Sequence, residues 1–180
     1  LQTKFLTRTL PRNCSFFPVA LSDQTGKTFL RVPSDIQGHS TIESLNTLQD
    51  RDCTEFQVDR YPLDEYNFDN ISFIKIDVEG HEPSVLRGMK NTLIRCRPHL
   101  LIEINDKHNP NSLETTSKFL MEQGYSGYRY NKNAIASSRR DTRKKVSGNL
   151  IFTHPDRKKD IDFYINNNIL ALYHPHNREL

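Results

Sequence analysis

Residues 73–82 read FIKIDVEGHE, which places Asp77, Glu79, Glu82 and the imidazole of His81 directly behind an apolar run. Carboxylates this close raise one another's pKa, so one of them becomes a general base able to accept a hydroxyl proton, and a histidine adds proton exchange near neutral pH. Gly80 supplies the freedom for a tight turn in the middle of the group. A second polar group, Glu103, Asn105 and Asp106, follows the next apolar run, HLLIEIN. Each residue also has a bland reading. Asp77 can pair with Lys75, Glu82 is the charge favoured at a helix N-terminus, and His81 can cap that helix. For any one residue the bland reading is favoured. For the cluster the functional reading is, because acid at the ends of two successive buried strands is costly unless something cationic or polar uses it.

The elements that must position these groups follow from hydrophobic period. ISFIKIDV (71–78) is nearly continuous β-branched and aromatic sequence, as in a strand buried on both faces. After Gly80 the period changes. Pro83 suits a first helical turn, and Val85, Leu86, Met89 and Leu93 predict one amphipathic helix ended before Pro98. His99 to Asn105 is a second buried strand. Asn111 and Glu114 form a capping-box pattern, Leu113, Thr116, Phe119 and Leu120 an apolar stripe, and Gly124 a stop. Tyr125 to Tyr130 and Asn149 to Thr153 are further strands. Strand, helix, strand, helix, strand predicts an α/β fold with a parallel sheet and right-handed crossovers, ligands lying beyond the strands' carboxyl ends. Upstream, CSFFPVAL (14–21) and KTFLRV (27–32), joined by a turn at 22–26, predict a hairpin whose first strand is kept at an edge by Pro18. Residues 33–54 are polar and without a lasting period, a loop with at most one helical turn, and Glu55 to Tyr61 alternates as a strand.

The chain's 180 residues suit one domain, but only 35% are hydrophobic and there is no Trp, so the core must come from a few segments. A net charge of +3 implies neither nucleic acid nor an acidic membrane as partner. Three cysteines without a CxxC pair argue for free thiols rather than a disulfide framework or zinc knuckle. No apolar run reaches the length of a membrane span. The basic run Arg139 to Lys145, with Arg157, Lys158 and Lys159, and the aromatics Tyr125, Tyr128 and Tyr130 are the features that nucleic acid would use, but a solvated loop and an edge strand account for them better. No Gly-x-Ser-x-Gly elbow supports a serine hydrolase.

FIKIDVEGHEPSVLRGMKNTLIRCRPHLLIEI, with YPLDEY before it and VALSDQTGKTFLRVP further upstream, resembles the FkbM family of S-adenosylmethionine-dependent methyltransferases over about residues 14–153. The resemblance implies a Rossmann-like class I methyltransferase fold with a mostly parallel sheet, passing a methyl group from S-adenosylmethionine to a hydroxyl of a small molecule or sugar. It implies that Asp77, Glu79 and His81 line the methyl-transfer end of the pocket. Ala20, Leu21 and Ser22 would lie on the adenine side. Some related methyltransferases hold a divalent metal between acids at the two strand ends, where this chain has Asp77 and Glu103, but no metal is assigned here.

The sequence departs from the family pattern in having no strand followed by an Asp-x-Gly-x-x-x-Gly loop, and no following strand ending in a ribose-binding acid. That departure, with Leu1 in place of Met, predicts a fold incomplete at its N-terminal half: residues 1–155 as a partial methyltransferase domain and 156–180 as a C-terminal tail. The isolated chain is expected to bind the cofactor weakly or not at all. Two function classes stand: the substrate-side part of a methyltransferase, or a non-catalytic remnant or binding module of the same fold. Substrate, oligomeric state and compartment stay open, the cytoplasm being slightly favoured.

Overall fold

The computed structural model describes residues 10–35, 38–130, 147–167 and 170–173. They form two sheets. The smaller contains β1 (Ala20–Leu21), β2 (Gly26–Pro33) and β3 (Cys53–Tyr61) in the order β1-β3-β2. The larger contains β4 (Phe73–Ile76), β5 (His99–Asn105), β6 (Ser126–Tyr130), β7 (Ser147–Thr153) and β8 (Leu170–Tyr173) in the order β4-β5-β7-β6-β8.

The expected hairpin between residues 14–21 and 27–32 does not form. β2 pairs antiparallel with β3 along its whole length, Gly26 opposite Arg60 through Pro33 opposite Cys53. The extended segment at 14–21 shrinks to Ala20 and Leu21, which add to the other side of β3 in parallel. Two long alternating strands exchange many ladder hydrogen bonds, whereas Pro18 has no N–H to give.

The expectation of a mostly parallel sheet also needs correction. Among the described residues of the larger sheet only β4 and β5 are parallel neighbours, with Phe73 opposite His99. β7 enters between β5 and β6 antiparallel to both, and β8 lies antiparallel to β6. Strands β4, β5 and β6 run one way and β7 and β8 the other, so the sheet is mixed. β8 comes from the segment expected as a tail.

The predicted helix after Gly80 is two helices, α1 (Glu82–Arg87) and α2 (Lys90–Cys96). The break at Gly88 and Met89 is held from outside. Asp64, in a 3-10 turn at Leu63–Tyr66, gives its N–H to the Gly88 carbonyl. Its carboxylate accepts from the N–H groups of Asn91 and Thr92 and from the Thr92 hydroxyl at 2.7 to 2.9 Å. These are orphan donors of the first turn of α2, where a negative charge is also favourable. Gly88 itself lies against the backbone of Ser22, and an ideal Cβ there would stand 1.9 Å from the Ser22 carbonyl oxygen.

α3 (Ser112–Glu122) carries the predicted stripe, with Leu113, Thr116 and Leu120 buried, and Gly124 follows it at φ +87°. The capping box is replaced. Asn111 makes no side-chain cap, and the Leu113 N–H goes to the Asp106 carboxylate at 3.0 Å. A last short helix, α4 (Asp162–Asn166), precedes β8.

The core lies on one face of the larger sheet. Ile76, Leu100, Ile102, Ile104, Leu150 and Phe152 project from the strands against Val85, Leu86, Met89, Leu93, Leu113 and Leu120 of the helices. Each such side chain contributes ~1.5–3 kcal/mol by leaving water. At the β4 end the opposite face is uncovered among the described residues: Phe73 is 55% exposed, and Lys75 and Glu103 are exposed beside it. Among the described residues β4 also has no neighbour beyond β5, so one edge of the sheet is open. The three cysteines are free thiols. Among the described residues no helix is long and apolar enough to cross a membrane. The basic run 139–145 lies outside the described residues. Tyr125 and Tyr128 are buried, and burial raises the Tyr125 phenol above its ordinary pKa.

Candidate functional site

The turns that follow β4 and β5 meet, as adjacent parallel strands require. Gly80, at φ +103°, packs on His108, where a Cβ would come within 3.1 to 3.2 Å of His108 atoms. The Asn109 side chain donates to the Gly80 carbonyl at 2.8 Å. The long connection from Pro33 to Cys53 closes over the same place. Thr41 and Asn46 donate from their side chains to the Glu79 carbonyl at 3.1 and 2.8 Å. These bonds hold Glu79 in the left-handed region, at φ 53°, which a non-glycine residue adopts at a cost of ~1 kcal/mol or more.

The acidic groups of residues 77–82 then part company. Asp77 accepts from Lys75 at 2.7 Å on the uncovered face of the sheet. That hydrogen bond, followed by the charge of Asp77, raises the Lys75 pKa, and the charge of Glu103 acts on the same ammonium. Among the described residues no group of three or more His, Cys, Asp or Glu side chains is arranged to hold a metal.

Glu79 turns the other way, its side chain nearly buried. Oε2 lies 2.7 Å from Nδ1 of His108, and Oε1 lies 3.7 Å from Nδ1 of His39. Both contacts are ion pairs and not aligned hydrogen bonds, so Oε1 has room for another donor. Beside these two histidines is a small cleft of about 110 Å³ between the Pro33–Cys53 connection and the turn after β5.

His81 is buried and faces neither Asp77 nor Glu79. Nδ1 meets Glu43 Oε2 at 2.9 Å, and Nε2 meets Ser22 Oγ at 3.0 Å. Ser22, wholly buried, also donates to Asp23 Oδ1 at 3.3 Å. Asp23 in turn pairs with Arg87 at 2.8 Å. Partial burial works to raise the Asp23 pKa, but the hydrogen bond and charge of Arg87 outweigh it and the carboxyl lies below its ordinary range. The chain Arg87, Asp23, Ser22, His81 and Glu43 thus ties the end of β1 to α1 and to the long connection.

Glu82 is buried to 1% exposure, accepting from the Gly80 N–H at 2.8 Å and the Ser112 hydroxyl at 3.2 Å. Burial pushes its pKa up, and these hydrogen bonds oppose the shift without cancelling it. A folded-state pKa above the unfolded value means the native state holds the proton more tightly. That contribution to stability is fully present below about pH 4.5 and is lost as pH rises through the raised folded value. Glu82→Gln keeps an acceptor for Gly80 and is always neutral. The urea midpoint of the parent protein is therefore expected to fall relative to that of the variant between pH 4.5 and pH 8. Two midpoint curves running parallel across that range would sink the assignment.

The family described as Methyltransferase FkbM domain matches residues 11–130. The chain belongs to the FkbM methyltransferase family. Its fold is also similar to that of a solved methyltransferase FkbM from Methylobacillus flagellatus KT, at 20% identity and a TM-score of 0.50. That likeness covers 84% of this chain and 32% of the other, so this chain spans about a third of the solved protein's length. No curated protein matches.

Membership of the FkbM family implies a methyl donor. In this FkbM chain Ala20 and Leu21 pair with Arg60 and Tyr61. Ser22 gives its N–H to the Tyr61 carbonyl and shares its hydroxyl between His81 and Asp23. The segment thus offers a nucleoside no free polar side chain, and no glycine-rich turn follows a strand in the sequence. Among the described residues, this segment does not by itself make a seat for S-adenosylmethionine.

Sequence reasoning missed His39, Thr41, Glu43, Asn46 and His108. A connection as long as that from Pro33 to Cys53, with only a 3-10 turn at Leu48–Asp50, is the one signal that pointed to the first four, because such loops in compact domains are usually functional, and nothing marked His108.

Proposed function

We propose that this chain supplies the acceptor side of an S-adenosylmethionine-dependent O-methyltransferase acting on a hydroxyl of a small molecule or sugar. The supporting observation is the Glu79 carboxylate, whose Oε1 stays open to a donor beside a cleft while Oε2 is ion-paired with His108. In this reading Glu79 accepts the hydroxyl proton, His108 orients it, and Asp77 with Lys75 forms the rim nearer the open edge of β4. His81, engaged at both ring nitrogens, is a positioning residue. The open β4 edge, the uncovered sheet face and the chain's spanning a third of the solved relative's length support its working as part of a larger enzyme.

A second reading, a non-catalytic binding module of the same fold, is favoured by the internal partners that Asp77, Glu79 and Glu82 each already have and by the commitment of Ser22. The test uses the protein encoded by the full parent gene, with transfer of labelled methyl from S-adenosylmethionine to a panel of hydroxyl compounds. Glu79→Gln is expected to lower kcat by ~10²–10⁴-fold with a smaller change in acceptor KM. A variant as fast as the parent protein removes Glu79 from the mechanism. No transfer to any acceptor, with no heat on titrating the donor, leaves the module.

A further inference from the structure

The cleft beside Glu79 has a chemical character that the methyl-transfer reading does not use. His39, Arg51, Lys107 and His108 line it with the neutral side chains of Asn46, Thr47, Leu48 and Gln49, and no carboxylate is among the lining residues. Arg51 spends one donor on Gln49 at 3.1 Å and lies 3.5 Å from Asp35, a carboxylate mostly in water. A guanidinium has five N–H donors in a fixed fork, so most remain. The Lys107 ammonium is exposed and has no ion-pair partner among the described residues. Lys107 is held beside the cleft by its backbone N–H, which donates to Asn105 Oδ1 at 3.1 Å. Arg51 comes from the long connection and Lys107 from the turn after β5, so the two charges approach the cleft from different segments.

Size narrows the ligand. At about 110 Å³ the cleft holds three or four waters' worth of volume, at ~30 Å³ each, and is well below the ~300 Å³ or more of a pocket that encloses a whole small molecule. It fits one compact group of a larger ligand. A compact group that suits a guanidinium fork, an ammonium and two imidazoles, with no acid in the lining, is an oxyanion.

We propose that this cleft binds an anionic oxygen group, a phosphate or carboxylate, carried by the methyl acceptor, so that the acceptor is a phosphorylated or acidic hydroxy compound rather than a neutral one. The proposal rests on the reading of Glu79 as the acceptor-side base. Anchoring the anion between Arg51 and Lys107 leaves the rest of the ligand outside the cleft, where a hydroxyl on a neighbouring carbon can reach Glu79 Oε1. Of the acids nearest the cleft, Glu79 is ion-paired with His108 and faced by His39, and Asp35 lies against Arg51 mostly in water, which limits their repulsion of an incoming anion.

The test is a titration of the 180-residue chain with inorganic phosphate, with acetate and with neutral glucose, followed by amide and side-chain NMR shifts at constant ionic strength. Saturable shifts are expected at residues 39, 46–51 and 105–108 with phosphate or acetate and none with glucose. Which anion binds more tightly separates the phosphate source from the carboxylate source. The double variant Arg51→Gln, Lys107→Gln is expected to weaken that binding at least tenfold, while Lys90→Gln, an exposed lysine on α2, leaves it unchanged. Equal shifts in the double variant, shifts spread over unrelated lysines, or no saturable shift overturn the proposal. Because the titration involves no methyl transfer, the oxyanion site and the methyltransferase reading can fail separately. Phosphate binding without transfer to any phosphorylated or acidic acceptor leaves an anion site in a non-catalytic module, and transfer to neutral hydroxyls alone removes the anion from the acceptor.

Discussion

Replacing Gly88 by alanine is expected to destabilise the protein by at least ~3 kcal/mol, read as a fall in the urea midpoint at unchanged slope. Local preference predicts the opposite sign. Gly88 has φ −74° at the C-cap of α1, a conformation any residue adopts, and alanine is favoured over glycine in helices by ~1 kcal/mol. The deciding term is long-range. A Cβ at this position would lie 1.9 Å from the carbonyl oxygen of Ser22, 2.8 Å from its carbonyl carbon and 3.2 Å from the Cα of Asp23. All three are backbone atoms and none can swing aside like a side-chain terminus, so the end of β1 must move away from α1. That movement also pulls Ser22 from His81 and Asp23 from Arg87. An alanine variant as stable as the parent protein would show that the contact between β1 and α1 is not what joins the two sheets.

His81→Leu is expected to cost ~3–5 kcal/mol, because it leaves Oε2 of the buried Glu43 carboxylate without its imidazole partner and the Ser22 hydroxyl without its second one. Against a total stability of ~5–15 kcal/mol for a domain this is a large share. The size of the loss alone does not identify its cause, since a leucine also fits the site poorly. Glu43→Gln added to His81→Leu removes the stranded charge while keeping an oxygen for the Leu45 N–H, which the carboxylate accepts at 3.1 Å. The double variant is therefore expected to recover more than half of the lost stability. If it is less stable than the His81 variant by the cost of Glu43→Gln alone, the two side chains are independent and the buried pair does not hold the connection down.

Continuous apolar runs and punctuation carried the fold where interactions are local. β4, β5 and α3 stand where hydrophobic period placed them, and Gly124 stops α3. The runs did not name their partners. KTFLRV reads as a half-exposed strand, but nothing in its alternation says that it pairs with residues 53–61 and not with 14–21. The break between α1 and α2 was invisible because its causes, Ser22 against Gly88 and Asp64 against the first turn of α2, lie far away in sequence. The acids of residues 77–82 were legible as a group and illegible as individuals. Their partners are His108 and His39 for Glu79, Lys75 for Asp77, and Gly80 with Ser112 for Glu82. Of these, His39 belongs to a polar stretch with no period to mark its fold, and His108 to the turn that ends β5. The bland pairing of Asp77 with Lys75, visible from the sequence, is the one the structure contains.

The interlocking of Gly80 with His108, and of the Glu79 carbonyl with Thr41 and Asn46, bears on how such a motif can be moved between proteins. FIKIDVEGHE is not a portable cassette. Its turn keeps its shape only while residues 41–46 close over it and residues 105–109 brace it from the next strand, so transplanting the ten residues alone onto another parallel sheet would deliver the letters without the geometry. Any donor graft must carry three segments together. A homologous chain that exchanges one of them by recombination must bring the other two from the same parent.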